Sequence, residues 1–174
     1  MDGELFLESP EYTIDSSSLM DIFGDTAWIS RKTNQGLWEK VLDLIEQGII
    51  ISHAEVFAEI KKEGTKGEEL YDWAHSHEYI FKHHDEIREG AIIRNMSRSY
   101  KAFVNDKMGS AHADPWLIAQ AKVLGIKIIT EEKLSTSPKP ENCQKIPNVC
   151  RDPLFRVECV NLWALTRERN WTFK

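Results

Sequence analysis

The stretch that most constrains this chain is Tyr12-Thr13-Ile14-Asp15, which stops on an acid and passes through Ser16-Ser17-Ser18 into the apolar positions Leu19, Met20, Ile22 and Phe23. It reads as a short strand, an acidic junction and a helix. Open α/β sheets bind ligands just beyond the carboxyl ends of their strands, so an aspartate at such a junction is placed for chemistry. Three later stretches each bring another carboxylate toward a comparable strand end or helix start.

The remaining chain keeps the alternation. Residues 1–10 carry no period and end at Pro10, as a tail or edge segment. A strand is expected over 11–15 and a helix over 16–23. Leu37, Trp38, Val41, Leu42, Leu44 and Ile45 recur at helical spacing within 35–47, before Gly48. Ile49-Ile50-Ile51-Ser52 is a continuous apolar run, as a strand buried on both faces shows. Helices follow over 53–63 and 68–77, then a longer helical region from 85 to 104 and a loop over 105–110. The pattern of 115–124 ends at Gly125 and leads into a strand over 126–130. Pro138 and Pro140 mark a loop over 135–142. Residues 146–150 read as a last short strand and 160–166 as a closing helix. The alternation predicts a three-layer α/β/α fold around a mainly parallel sheet. One domain is expected over 1–174, with 135–174 as an extension.

Composition excludes several classes. With 174 residues, 41% of them hydrophobic, the chain can bury one real core. Its longest apolar runs are far too short to span a bilayer. The start, Met1-Asp2-Gly3-Glu4, is acidic and lacks the basic region of a signal peptide. A cytoplasmic protein with no membrane association is expected. Cys143, Cys150 and Cys159 lack the C-x-x-C spacing and read as reduced packing residues. The net charge of −6 weighs mildly against non-specific nucleic-acid binding, although a cluster of acids at one site would itself lower the total.

Each acid has a plain structural alternative. Asp15 could be only an N-cap, but Ser16, Ser17 and Ser18 are better caps, which leaves Asp15 for another role. Glu59, on a helix with Val56 and Ile60, could be a solvated partner for Lys62. Asp114 could cap a helix whose first residue is Pro115. Such a cap remains compatible with ion binding, because a carboxylate has about four acceptor positions. Glu131 and Glu132 both follow the strand over 126–130, and either could serve a site. His75, His77, His83 and His84 do not have zinc-site spacing. Arg88, Arg94, Arg98, Lys101 and Lys107 form a basic stretch that suits either a solvated face or a phosphate-tracking surface.

Taken together, Tyr-Thr-Ile-Asp15-Ser-Ser17, Val56-x-x-Glu59-Ile60, Ala113-Asp114-Pro-Trp-Leu-Ile118-Ala-x-Ala121 and Ile-Ile-Thr130-Glu-Glu132 resemble the PIN-domain nucleases. The resemblance is nearest to the prokaryotic PIN-like proteins related to VapC-type toxins. It runs from about Tyr12 to Glu132 in the family's order and leaves residues from Ser135 onward unexplained. By resemblance, Asp15, Glu59, Asp114 and Glu132 would be the catalytic, metal-binding acids, with Ser17 as the hydroxyl residue of the first motif. Glu132 departs from the more frequent aspartate, and Ser18 stands where many members have asparagine nearby.

The resemblance implies a metal-dependent endoribonuclease, the toxin of a toxin–antitoxin pair, with RNA as substrate and an antitoxin protein as partner. A homodimer is also compatible with it. Oxygen-only ligands favour Mg²⁺ or Mn²⁺. The alternative is a non-catalytic PIN-like module that binds RNA or protein. A haloacid-dehalogenase-type phosphatase would need Asp-x-Asp where this chain has Asp15-Ser16-Ser17. A dinucleotide-binding domain would need the absent G-x-G-x-x-G.

Overall fold

The computed structural model describes residues 9–25, 28–64, 68–104, 113–136 and 145–173. Its sheet has four parallel strands in the order β2-β1-β3-β4: β1 (Tyr12–Ile14), β2 (Ile50–Ile51), β3 (Lys127–Ile129) and β4 (Cys159–Val160). Thr13 lies beside Ile51 on one side and Ile128 on the other. The helices are α1 (Ser16–Phe23), α2 (Gln35–Glu46), α3 (Ala54–Glu63), α4 (Glu69–Ser76), α5 (Glu86–Ser99), α6 (Lys101–Val104), α7 (Ala113–Leu124), α8 (Ile146–Cys150) and α9 (Leu162–Glu168). They cover the sheet in a three-layer α/β/α fold, as the alternation of patterns predicted.

The local chemistry explains most boundaries. Asn34 caps α2 by accepting from the Leu37 amide, and Asn161 caps α9 by accepting from the Ala164 amide. Gly125, with φ of 69°, ends α7 in the left-handed region, where the Ile126 amide reaches back to the Ala121 carbonyl at 3.0 Å. Ile14, Ile50, Ile128 and Ile129 are fully buried between helices, with Leu117 and Ile118 of α7 packed in the same core. Each such side chain contributes about 1.5–3 kcal/mol of apolar burial.

Two expectations are corrected. Residues 146–150 form helix α8, not a strand: Pro147 occupies a first-turn position, where its missing N–H costs nothing. The last strand is instead Cys159–Val160, too short to show a period, with the Ile128 amide donating to the Glu158 carbonyl and the Thr130 amide to the Val160 carbonyl, both at 2.9 Å. The C-terminal stretch thus completes the sheet. The helical region from 85 to 104 also breaks at Tyr100 into α5 and α6. The loop expected over 105–110, most of that over 135–142, Lys107 and Cys143 lie outside the described residues.

All four strands point the same way, so Asp15, Ser52, Thr130 and Asn161 leave the sheet at one edge. From β1 the chain crosses to β2, and from β3 it crosses the other way to β4. The crevice between the ends of β1 and β3 is therefore the sheet's topological switch point.

Candidate active site

The Asp15 carboxylate is buried at this switch point. Its Oδ1 accepts from the Ser18 amide at 2.7 Å, and its Oδ2 accepts from Ser17 Oγ at 2.8 Å and Thr130 Oγ1 at 2.6 Å. Contrary to the expectation that the serines would cap α1, Asp15 is itself the N-cap, with extended φ and ψ of −83° and 165°. Because α1 begins at Ser16, the serines already lie inside its first turn. Burial raises the Asp15 pKa, and the hydrogen bonds oppose that shift.

Glu59 is buried rather than solvated on α3. Its Oε2 accepts from Ser16 Oγ at 2.6 Å and its Oε1 from the Ala113 amide at 2.8 Å. Burial raises its pKa, and the charges of Glu63 and Asp15 add to that. Asp114 is not the N-cap that its place before Pro115 allowed as an alternative. Helix α7 starts at Ala113, which places Asp114 in its first turn, and Glu59 satisfies the free Ala113 amide. Among the described residues no donor is hydrogen-bonded to the Asp114 carboxyl. Burial and the charges of Glu132, Asp15 and Glu59 push its pKa up to about 8, with Lys145 opposing.

The two glutamates after β3 diverge. Glu132 faces Asp114; its Oε1 accepts from Lys145 Nζ at 2.8 Å and its Oε2 from the Ile146 amide at 2.9 Å. Glu131 turns toward α9, where its Oε1 accepts from the Leu162 amide at 2.7 Å. All five residues singled out from the sequence are thus gathered at one place. Three hydrogen bonds tie their segments together independently of charge: Thr130, of the Glu132 segment, to Asp15; Ser16, next to Asp15, to Glu59; and the Ala113 amide, next to Asp114, to Glu59.

Sequence reasoning missed the roles of Ser16, Thr130 and Lys145. Ser16 and Thr130 stand inside the quoted motifs, so proximity to the acids was a usable signal. Lys145 follows a proline-containing stretch of sequence and carried none. Among the described residues the acids of the pocket offer only oxygen ligands, and their charges crowd a carboxyl to which no donor is hydrogen-bonded. That chemistry fits a hard divalent cation such as Mg²⁺ or Mn²⁺, with Asp114, Asp15, Glu59 and Glu132 as the available carboxylates.

A second polar cluster lies at the end of β2. Potential ligand atoms of His53, His83 and Glu89 lie within 4.8 Å of one another. The Glu55 amide donates to His53 Nδ1 at 3.1 Å, which leaves the ring proton on Nε2, 3.4 Å from Glu89 Oε2. His53 also stacks on Trp116. With its Nε2 lone pair occupied by a proton, this is a packed hydrogen-bonding cluster and not an open ligand set. The other described histidines are also engaged: His75 packs on Phe57, His77 stacks on Trp73, and His84 Nδ1 meets Gln120 Nε2 at 3.0 Å. The described residues of the basic stretch do not gather at the acids as a unit. Arg88 pairs with Asp85, while Arg98 lines a groove with Lys122, near the end of α7 remote from Asp114.

Comparison with known proteins finds one family. The model of a domain of unknown function, DUF4411, matches residues 12–173. No curated protein and no solved structure matches the chain.

Proposed function

We propose that this chain, which belongs to the DUF4411 family, is a divalent-metal-dependent endoribonuclease. The observation that carries this reading is the convergence of Asp15, Glu59, Asp114 and Glu132, from four separate segments, at the switch point of a parallel sheet. A scaffold gains nothing from concentrating like charges, which repel and are costly when buried. A cation-binding hydrolytic site needs them.

A bound Mg²⁺ or Mn²⁺ would supply an activated water and stabilise charge on the phosphate oxygens. The chain's own residues prepare the place. Ser17, Thr130 and the Ser18 amide fix the orientation of Asp15, and Ser16 with the Ala113 amide fixes that of Glu59. Asp114, to which no described residue donates a hydrogen bond, holds a proton at neutral pH and would give it up when a cation binds there. No protein nucleophile is needed for hydrolysis of this kind.

RNA as the substrate, a toxin's role and an antitoxin partner rest on the resemblance to PIN-domain nucleases. The test is cleavage of single-stranded RNA by the purified chain with Mg²⁺ or Mn²⁺, with excess EDTA, and with Asp114→Asn. Cleavage that needs the metal and disappears in the variant is expected. Cleavage that persists in EDTA would remove the metal mechanism. RNA binding without cleavage under every metal condition would favour the non-catalytic module.

A further inference from the structure

We propose that Lys145 is a resident cation of the acidic pocket, a positioning residue that grips Glu132 and weakens the pocket's hold on a divalent ion. The inference rests on the reading of the pocket as a divalent-cation site.

Consecutive residues hold Glu132 by both oxygens: Lys145 Nζ at 2.8 Å from Oε1, and the Ile146 amide at 2.9 Å from Oε2. The other acids differ in kind. The donors to Asp15 and Glu59 are hydroxyls and backbone amides, which orient a carboxylate and leave its charge in place. Lys145 brings a full positive charge. Among the described residues whose charges act most on Asp114 it is the cation, opposing Glu132, Asp15 and Glu59.

Its placement suits competition. The Lys145 side chain is 54% exposed and the Glu132 side chain 18%, so the ammonium can leave for solvent while the carboxylate stays. A cation arriving at Glu132 must displace the ammonium or share the carboxylate with it. Either event costs affinity, because two positive charges in one pocket repel. The lysine therefore keeps the pocket partly neutralised without metal and raises the ion concentration needed to fill it.

The test is Mn²⁺ binding to the full chain, measured by calorimetry and by the electron paramagnetic resonance of free Mn²⁺. Lys145→Met is expected to bind Mn²⁺ about tenfold more tightly than the wild type and to melt at a lower temperature in EDTA. Lys145→Arg should restore the wild-type affinity. In a Glu132→Gln background, Lys145→Met should change the affinity much less, because the pair then no longer exists. An affinity unchanged or weakened in Lys145→Met, with Mn²⁺ binding still abolished by Asp114→Asn, would overturn the role of Lys145 alone. Absence of Mn²⁺ binding by the wild type at millimolar ion would overturn the cation-site reading and this inference together.

Discussion

Thr130 donates its hydroxyl to Asp15 Oδ2 at 2.6 Å, although 115 residues separate the two in the chain. The same Thr130 oxygen accepts from the Glu132 amide at 3.1 Å. One side chain at the end of β3 thus orients the acid at the end of β1 and starts the turn that carries Glu132.

This pairing predicts the effect of Thr130→Val, which keeps the branched shape and removes the hydroxyl. It leaves a buried carboxylate oxygen short of a donor and should cost about 1–3 kcal/mol. Thr130→Ser should recover most of that loss. Urea unfolding of the three proteins is the measurement, and a valine variant within about 0.5 kcal/mol of wild type would deny the contact any structural weight.

Asp114→Asn should be inactive on RNA and, without metal, as stable as wild type or more so. The folded carboxyl releases its proton at about 8. In the unfolded chain it does so near 4. Between these values the folded state holds a proton that the unfolded state has lost, so this group's contribution to stability falls as pH rises from 4 to 8. The asparagine variant lacks that slope. At pH 8 in EDTA it should gain on the order of 2 kcal/mol over wild type, and near pH 4 the two should converge. Thermal unfolding across this range decides the point, and a variant less stable than wild type at pH 8 would make Asp114 a structural residue.

His53 should make the protein acid-sensitive. Burial, with His83 and His84 nearby, pushes its pKa down to about 3. An unfolded histidine titrates near 6.5. The unfolded state therefore binds a proton that the folded state refuses, and stability present above pH 6.5 is lost as pH falls toward 3. His53→Asn keeps a side-chain acceptor for the Glu55 amide and removes the titration. The drop in melting temperature between pH 6.5 and 4.5 should be smaller in this variant. An equal drop in both proteins would clear His53 of the effect.

Gln120 ties α7 to the sheet. Its Oε1 accepts from Thr13 Oγ1 at 2.7 Å, and its Nε2 donates to the Lys82 carbonyl at 3.0 Å. Gln120→Leu leaves the buried Thr13 hydroxyl and the Lys82 carbonyl without this partner and should cost roughly 1–3 kcal/mol. Chemical denaturation measures the loss, and a cost below about 1 kcal/mol would show that the site relaxes around leucine.

The sequence by itself determined the layered architecture and the identity of the acids. Helical spacing in 35–47, the unbroken apolar run Ile49–Ile51, the isoleucines at 126, 128 and 129, and glycines at 48 and 125 are local signals, because periodicity and backbone freedom act between near neighbours. The motif residues Asp15, Glu59, Asp114 and Glu132 were legible for a related reason: each sits in a short pattern of its own. Only the tertiary structure decided what those acids touch. Residues 146–150 became helix α8, packed against α7 and β4, and Cys159–Val160 became a strand because pairing with β3 supplied hydrogen bonds that a two-residue pattern cannot announce. Asp15 became cap and pocket residue at once, and Glu132 turned to Asp114 while Glu131 turned to α9. Lys145 reached Glu132 across 13 residues that carry no periodic signal. Such contacts depend on where strands and helices meet in space, and charge and hydrogen bonding act through that distance rather than along the chain.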